Sequence, residues 1–209
     1  AGAAITYETP IELDHGLHVL VVTSVDNLDN ESAKSMVGHV FVDREEPAEP
    51  EMDPVAEWSK PGDIRFTWPA SSDDTAVQYN FEYSLNGGVD WETPVTGLTG
   101  QSCVVDAGSL EFGAEVAGRV MAYDAVGNES NYCGYVSTKI DDKKPEVTTG
   151  DAPDPLSNVA RPTWVWSATD VGSGVEYYIV TLDSELPTRI EYQSGDTRYS
   201  IRVGSSLSR

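Results

Sequence analysis

The side chains best able to do chemistry in this sequence are carboxylates. The sequence has 35 Asp and Glu residues against 13 Lys and Arg residues, which gives a formal net charge of −22 at pH 7. Carboxylate oxygens are ligands that Ca²⁺ prefers. The candidate Ca²⁺ ligands are acidic residues in turns and in two proline-rich segments, namely Asp43, Glu45, Asp73, Asp74, Asp124, Asp141, Asp142 and Asp170.

Ordinary turn formation is the favoured explanation for the same residues. Asp and Asn populate turns because their side chains hydrogen-bond to their own backbone. Residues 26–32 and 124–130 both run from Asp to Asn-Glu-Ser, and we interpret each Asn-Glu-Ser as turn chemistry rather than as a glycosylation site. Calcium binding therefore requires that carboxylates from different segments meet.

Catalysis by a nucleophile and a histidine base has little support in the sequence. His15, His18 and His39 are the only three histidines, and all of them precede residue 46. The segment that follows therefore has no imidazole to activate a Ser or Cys. Short loops also offer no evident cleft that would shift the pKa of a carboxylate pair. The sequence predicts that the protein is not an enzyme.

A repeat with an interval of 98 residues runs through the chain. Residues 124–130 echo residues 26–32, and the Trp68 and Trp166 segments are likewise 98 residues apart. An interval of this length predicts similar modules of domain size. We expect the C-terminal strands of one module in residues 1–45, a complete module in 46–142, and the N-terminal part of a third in 143–209.

Short β-strands are the elements that would position the acidic candidate residues. Residues 64–68 and 77–83 alternate between apolar and polar side chains, which is typical of strands with one buried face. Asn86-Gly87 favours a tight hairpin with positive φ. We expect seven strands, as in a β-sandwich, near residues 54–58, 63–68, 77–85, 89–95, 101–106, 115–123 and 132–140.

Two stretches resemble strands of fibronectin type III modules. Residues 67–83 resemble the second and third strands, and residues 120–130 are similar to the sixth strand and its turn in bacterial secreted proteins. The resemblance implies an all-β chain of tandem seven-stranded Greek-key β-sandwiches, of fibronectin type III or immunoglobulin-like type. It also implies that the loops after the second and sixth strands meet the incoming linker at one end. Carboxylates of each joint would then come together.

The resemblance implies a function as well as a fold. It indicates non-catalytic structural, spacer or adhesion repeats of a large bacterial protein, in an extracellular or cell-surface location. The alternative is a glycan- or protein-binding module attached to a secreted enzyme, for which Trp91 beside Tyr83 would supply an aromatic surface. The acidic charge argues against nucleic acid as a partner. No apolar run reaches the roughly 18 residues that membrane insertion needs.

The partial modules predict partners. A half sandwich of 45 residues is too small to bury a core of its own and leaves a strand edge bare. We expect neighbouring modules of the same protein to lie against each other. We also expect that residues 1–45 can complete the sandwich begun by residues 143–209, most readily in a second copy of the chain.

Two cysteines, Cys103 and Cys133, lie in the complete module, and neither has a cysteine counterpart at the repeat interval. They are not spaced as metal ligands. Either they form a disulfide between two late strands, or they are small buried apolar residues.

Overall fold

The computed structural model describes residues 11–152, 154–155, 163–181, 188–191 and 199–202. Every regular element in these ranges is a β-strand, which confirms the all-β prediction. The fourteen strands are β1 Gly16–Val22, β2 Ser35–Val42, β3 Trp58–Ser59, β4 Asp63–Thr67, β5 Gln78–Ser84, β6 Val95–Leu98, β7 Ser102–Asp106, β8 Glu115–Tyr123, β9 Val136–Ile140, β10 Glu146–Thr149, β11 Thr163–Thr169, β12 Tyr177–Val180, β13 Thr188–Glu191 and β14 Tyr199–Arg202. The described residues contain no helix long and apolar enough to cross a membrane.

Strands β3 to β9 form a two-sheet sandwich, the central module. One sheet has the order β3-β9-β8-β5-β6, and the other pairs β4 with β7. All neighbours are antiparallel except β3, which pairs with β9 in parallel. The chain crosses between the two sheets four times, on either side of β4 and on either side of β7, which gives a Greek-key connection. The predicted β-sandwich is confirmed.

Aromatic side chains fill the space between the two sheets. Phe66 of the smaller sheet lies 5.5 Å from Phe81 of the larger sheet, measured between ring centroids. Trp68 follows β4 and stacks parallel to Phe81 at 5.7 Å. Ile64 and Phe66 are buried while the intervening Arg65 is exposed. The period-two pattern of the sequence therefore predicted the buried face correctly.

Gly118 lies on the buried face of β8, where a side chain has no room. A Cβ at this position would lie 2.8 Å from Phe81 Cζ and 2.9 Å from Phe66 Cδ1. Real Cβ atoms do not approach other atoms so closely. The missing side chain lets both rings pack directly on the β8 backbone, which is a recognised use of glycine within strands.

Strand boundaries around the Asn86 turn differ from the prediction. The fourth strand of the module is 95–98 rather than 89–95. Asn86 Oδ1 accepts hydrogen bonds from Ser84 Oγ and from the Asp90 backbone N–H, so the segment closes a loop instead of joining the ladder. The Glu92 N–H still donates to the Tyr83 carbonyl, but Pro94 has no N–H to donate, and the regular ladder with β5 starts at Val95. Gly87 does have the predicted positive φ, 72°.

The first and last strands of the central module are shorter than predicted. The first is reduced to Trp58–Ser59, and the last starts at Val136 rather than near residue 132. The Cys133 N–H donates to the carbonyl of Val120, outside the regular ladder.

Pairing of β1 with β2 reproduces that of β8 with β9 at the repeat interval. Glu115 pairs with Lys139, and Leu17 pairs with Phe41. The second pair is the first pair displaced by 98 residues in both strands. The hydrogen-bonding register therefore follows the sequence repeat.

Pairing of β4 with β7 is reproduced in the same way by β11 with β14. Arg65 pairs with Val104, and Thr163 pairs with Arg202, again 98 residues later in both strands. The register therefore repeats in these strands as well.

The β1–β2 ribbon exposes apolar side chains. Leu17, Leu20, Met36 and Val37 each have more than half of their surface exposed. The idea that another segment or a second chain covers this ribbon stays a prediction. Residues 1–10 and 203–209, which it also involves, lie outside the described residues.

Cys103 and Cys133 are both free thiols, so the disulfide alternative is wrong. Cys133 is buried, and its Sγ accepts a hydrogen bond from the Val120 N–H at 3.4 Å. Burial raises the pKa of both thiols. They are therefore small packing residues rather than reactive groups.

Candidate functional site

Asp124 closes a tight turn directly after β8. Its Oδ1 accepts hydrogen bonds from the backbone N–H groups of Val126, Gly127 and Asn128 at 2.6–2.9 Å. Its Oδ2 accepts one from Asn128 Nδ2 at 2.7 Å. Burial alone would raise the pKa of Asp124, but these hydrogen bonds outweigh it and hold the pKa below its usual value. The carboxylate is ionised and 3% of the residue is exposed.

Asp26 closes the equivalent turn after β1. Its Oδ1 accepts hydrogen bonds from the N–H groups of Leu28 and Asn30, and its Oδ2 accepts one from Asn30 Nδ2. The side chain and backbone of Asn30 lower the pKa of Asp26. This turn is exposed to solvent, unlike that of Asp124. Both residues are turn formers, as the composition of the repeated heptapeptide indicated.

Asp43 follows β2, at the start of the proline-rich linker. Its side chain is only 1% exposed. Oδ1 accepts a hydrogen bond from the Glu45 N–H at 3.2 Å and lies 3.4 Å from His15 Nδ1. Oδ2 is buried and has no hydrogen-bond partner among the described residues. Asp43 therefore has a buried carboxylate oxygen that accepts no hydrogen bond from the described residues.

Asp73 lies in the loop after β4 and approaches the same place. Its Oδ2 accepts hydrogen bonds from the N–H and the Oγ1–H of Thr75, both at 2.8 Å. Asp43, Asp73 and Asp124 each contribute one carboxylate oxygen to a group in which all these oxygens lie within 4.8 Å of one another. We call this group the joint cluster. The structure thus brings together three of the eight predicted site residues, from three separate segments.

Two other predicted residues border the joint cluster without contributing to it. Asp74 Oδ2 lies 3.3 Å from His15 Nε2, so Asp74 faces the histidine. Glu45 takes part through its backbone N–H, which donates to Asp43.

The second joint is built on Asp141, which occupies the position of Asp43 one repeat later. Asp141 Oδ1 accepts a hydrogen bond from the Lys143 N–H at 3.0 Å, as Asp43 does from Glu45. Its Oδ2 accepts one from the Ser173 N–H at 2.8 Å. The hydrogen bonds from Ser173 are the main cause that lowers the pKa of Asp141. Both oxygens are therefore occupied by backbone donors.

The remaining predicted residues of the second joint are engaged separately. Asp142 Oδ1 lies 3.0 Å from Lys143 Nζ. Asp170 Oδ1 accepts hydrogen bonds from the N–H groups of Gly172 and Gly174. In the part of the chain that the structure describes, no group of three carboxylate oxygens forms at this joint.

The aromatic surface considered for glycan binding is partly covered. The Arg119 guanidinium lies 4.0 Å from the centre of the Trp91 ring and 4.7 Å from that of Tyr132. Glu82 anchors Arg119 through a 2.6 Å ion pair. Burial, then the charge of Glu82, raises the pKa of Tyr132 to about 12. One face of Trp91 is therefore occupied by this cation.

We expect the stability of the protein to fall in acid because of Asp124 and Asp141. Their folded-state pKa lies below the ordinary value of 3.8, so the unfolded chain takes up protons first as the pH falls. The stabilisation is complete well above pH 3.8 and is lost as the pH falls through the lowered folded-state pKa. Urea midpoints measured from pH 7 to pH 3 test this, and a midpoint that stays constant down to pH 3 would contradict it.

Comparisons with known proteins find similarity among solved structures. No protein-family model and no curated protein matches the sequence. Among solved structures, the chain is similar to the crystal structure of the FN1–FN3 domains of chicken CNTN1, with 13% sequence identity and a TM-score of 0.45. The match covers 83% of this chain and 61% of that chain, so less than two thirds of the matched structure is spanned. The fold assignment rests on the strand pairing described above.

Proposed function

We propose that this chain belongs to a tandem array of β-sandwich modules that serves as a non-catalytic structural spacer in a large extracellular or cell-surface bacterial protein. The observation that carries the proposal is the repeated pairing register. The β8–β9 register recurs in β1–β2, and the β4–β7 register recurs in β11–β14, each displaced by 98 residues. Repetition of one module at a fixed interval suits a protein that holds other parts at a distance.

Contacts of the linkers support a spacer with defined joints. The linker after Asp43 lies against the central module, because the Ala48 N–H donates to the carbonyl of Ser72 and the Asp53 N–H to that of Thr67. These hydrogen bonds fix the path of the linker. Proline residues in the same segment further restrict its backbone.

Electrostatics of the carboxylates also favour a structural role. A general acid at neutral pH needs a raised carboxyl pKa. Asp124 and Asp141 have lowered pKa values, and their oxygens accept hydrogen bonds from backbone N–H groups and, at Asp124, also from the side-chain amide of Asn128. Charges used in this way stabilise turns and joints rather than transfer protons. The alternative of a glycan-binding module needs open aromatic faces, and that of Trp91 is shared with Arg119.

Small-angle X-ray scattering of this chain tests the proposal. A compact protein of 209 residues would have a radius of gyration of about 17 Å, and an array of modules should exceed this clearly. Asp141→Ala removes the acceptor of the Ser173 N–H and should widen the distribution of distances within the particle. Asp142→Ala, which loses only a contact with Lys143, is the matched control. A radius near the compact value would contradict the spacer.

A further inference from the structure

We propose that Asp43, Asp73 and Asp124 form a Ca²⁺ site that locks the first joint of the chain. Asp43 follows β2 of the preceding module, whereas Asp73 and Asp124 belong to two loops of the central module. One oxygen from each lies within 4.8 Å of the others. An ion bound to all three would tie the two modules together. That such an ion stiffens the array rests on the proposed function. That the three carboxylates bind an ion rests on their geometry alone.

The buried oxygen of Asp43 is the observation that points to a ligand. The Asp43 side chain is 99% withdrawn from solvent, and its Oδ2 has no hydrogen-bond partner in the described residues. A buried ionised carboxylate is strongly unfavourable unless a cation or a donor compensates it. Two further carboxylates lie beside it instead, which adds repulsion between like charges. A divalent cation removes both penalties.

The second joint shows what the first one lacks. Asp43 and Asp141 are 98 residues apart, and each accepts a backbone N–H at Oδ1 from the residue two positions later. At Asp141, Oδ2 accepts the Ser173 N–H from the next module. At Asp43, the corresponding loop presents the carboxylate of Asp73. The backbone donor at Asp141 is thus replaced by a second carboxylate at Asp43.

His15 does not supply the missing charge at the buried oxygen. Its Nδ1 lies 3.4 Å from Asp43 Oδ1, the oxygen that Glu45 already caps. The Arg44 N–H donates to the same Nδ1 at 3.3 Å, so this nitrogen is an acceptor in that arrangement. Its Nε2 faces Asp74. Oδ2 of Asp43 therefore remains available to a metal ion.

The donor set selects calcium. All three donors are carboxylate oxygens, which favour hard cations over those that prefer nitrogen or sulfur. Ca²⁺ accepts six to eight oxygens at about 2.3–2.6 Å in irregular geometry, and waters can complete the shell. Mg²⁺ demands near-octahedral geometry and gives up its waters reluctantly. Three carboxylates from separate segments suit the larger and more tolerant ion.

Thermal unfolding of the chain in CaCl2, MgCl2 or EDTA tests the site, with calorimetric titration of CaCl2 as the direct measurement. At about a hundredfold excess of Ca²⁺ over the dissociation constant, we expect the midpoint to rise by at least about 5 °C. Asp43→Asn should abolish the rise, and in EDTA it should be at least as stable as the parent because a buried charge is gone. Asp73→Asn should also abolish calcium binding.

Asp26→Asn is the matched control, because Asp26 closes the same kind of turn as Asp124 but stands alone on the surface. It should keep the full response to calcium. The proposal is overturned if the parent chain shows no calcium response, if MgCl2 gives an equal shift, or if Asp26→Asn loses the response as Asp43→Asn does. Calcium binding by a chain with a compact radius of gyration would refute the spacer and leave the site intact.

Discussion

Replacing Trp68 with alanine is expected to lower the free energy of unfolding of the central module by about 3–5 kcal/mol. Trp68 is 2% exposed, and its ring stacks on Phe81 at 5.7 Å and meets Tyr79 edge-on at 5.6 Å. Its removal opens a cavity where the two sheets face each other. Paired strands on both sides limit how far the cavity can collapse.

Trp68→Phe separates the volume of the ring from its polarity. Among the described residues, the buried indole N–H of Trp68 has no acceptor, so phenylalanine loses no hydrogen bond seen there and keeps much of the stacking. We expect less than half of the loss seen with alanine. Urea unfolding followed by circular dichroism measures both variants. A loss below about 1 kcal/mol for Trp68→Ala would mean that the sandwich is not closed around this residue.

The buried face of the central module could be predicted because it depends on local alternation. Phe66 and Phe81 lie on period-two runs, and a one-residue shift would have placed them in solvent. Gly118 lies on the same inward face as Val116 and Val120, and the two rings occupy the space that its side chain would need. That contact joins distant strands, so the sequence around Gly118 does not reveal it.

The loop around Asn86 shows where local patterns mislead. Residues 89–95 have a composition compatible with a strand, but Asn86 captures the Asp90 N–H and Pro94 has none to donate. A strand needs partners for its backbone on a neighbouring strand. Here the Glu92 N–H does reach the Tyr83 carbonyl of β5, but the Asp90 N–H bonds to a side chain within the turn itself. Periodicity does not register this competition.

The joint cluster was only partly predictable for a related reason. The sequence placed carboxylates at both joints, and the fold resemblance brought their loops together. Whether an Asp then meets a donor or another anion depends on single loop residues. Asp73 in the first joint aligns with Val171 in the second. In the second joint, the Ser173 N–H donates to Asp141 instead. Aligning the loops at the repeat interval would have revealed this difference.

Arg119 was not recognised from the sequence. It lies in β8 and extends across Trp91 and Tyr132 while pairing with Glu82 on the neighbouring strand. The pairing of β5 with β8 places Glu82 directly opposite Arg119, so a register prediction was needed to find it. Without that register, Trp91 looked like an open aromatic residue.

Replacing Asp124 with alanine is expected to cost about 3 kcal/mol in EDTA, because several backbone N–H groups lose their acceptor in a buried turn. Asp124 Oδ1 alone serves Val126, Gly127 and Asn128. Loss of its charge also relieves repulsion within the joint cluster, which acts in the opposite direction. A net loss in EDTA therefore reports the turn rather than the metal.

Asp124→Asn and Asp26→Ala complete this experiment. Asparagine keeps an oxygen that accepts from the three N–H groups, but its own NH2 group would face the NH2 group of Asn128. We therefore expect a smaller loss of stability than with alanine. Asp26→Ala breaks the equivalent exposed turn, and water can replace its oxygen. The unfolding midpoint of the central module should stay unchanged in that variant. The structure predicts a larger loss of stability for Asp124→Ala than for Asp26→Ala, because Asp124 is buried beside Asp43 and Asp73. Equal losses of stability in the two variants would contradict this and mean that turn geometry alone sets the free-energy cost.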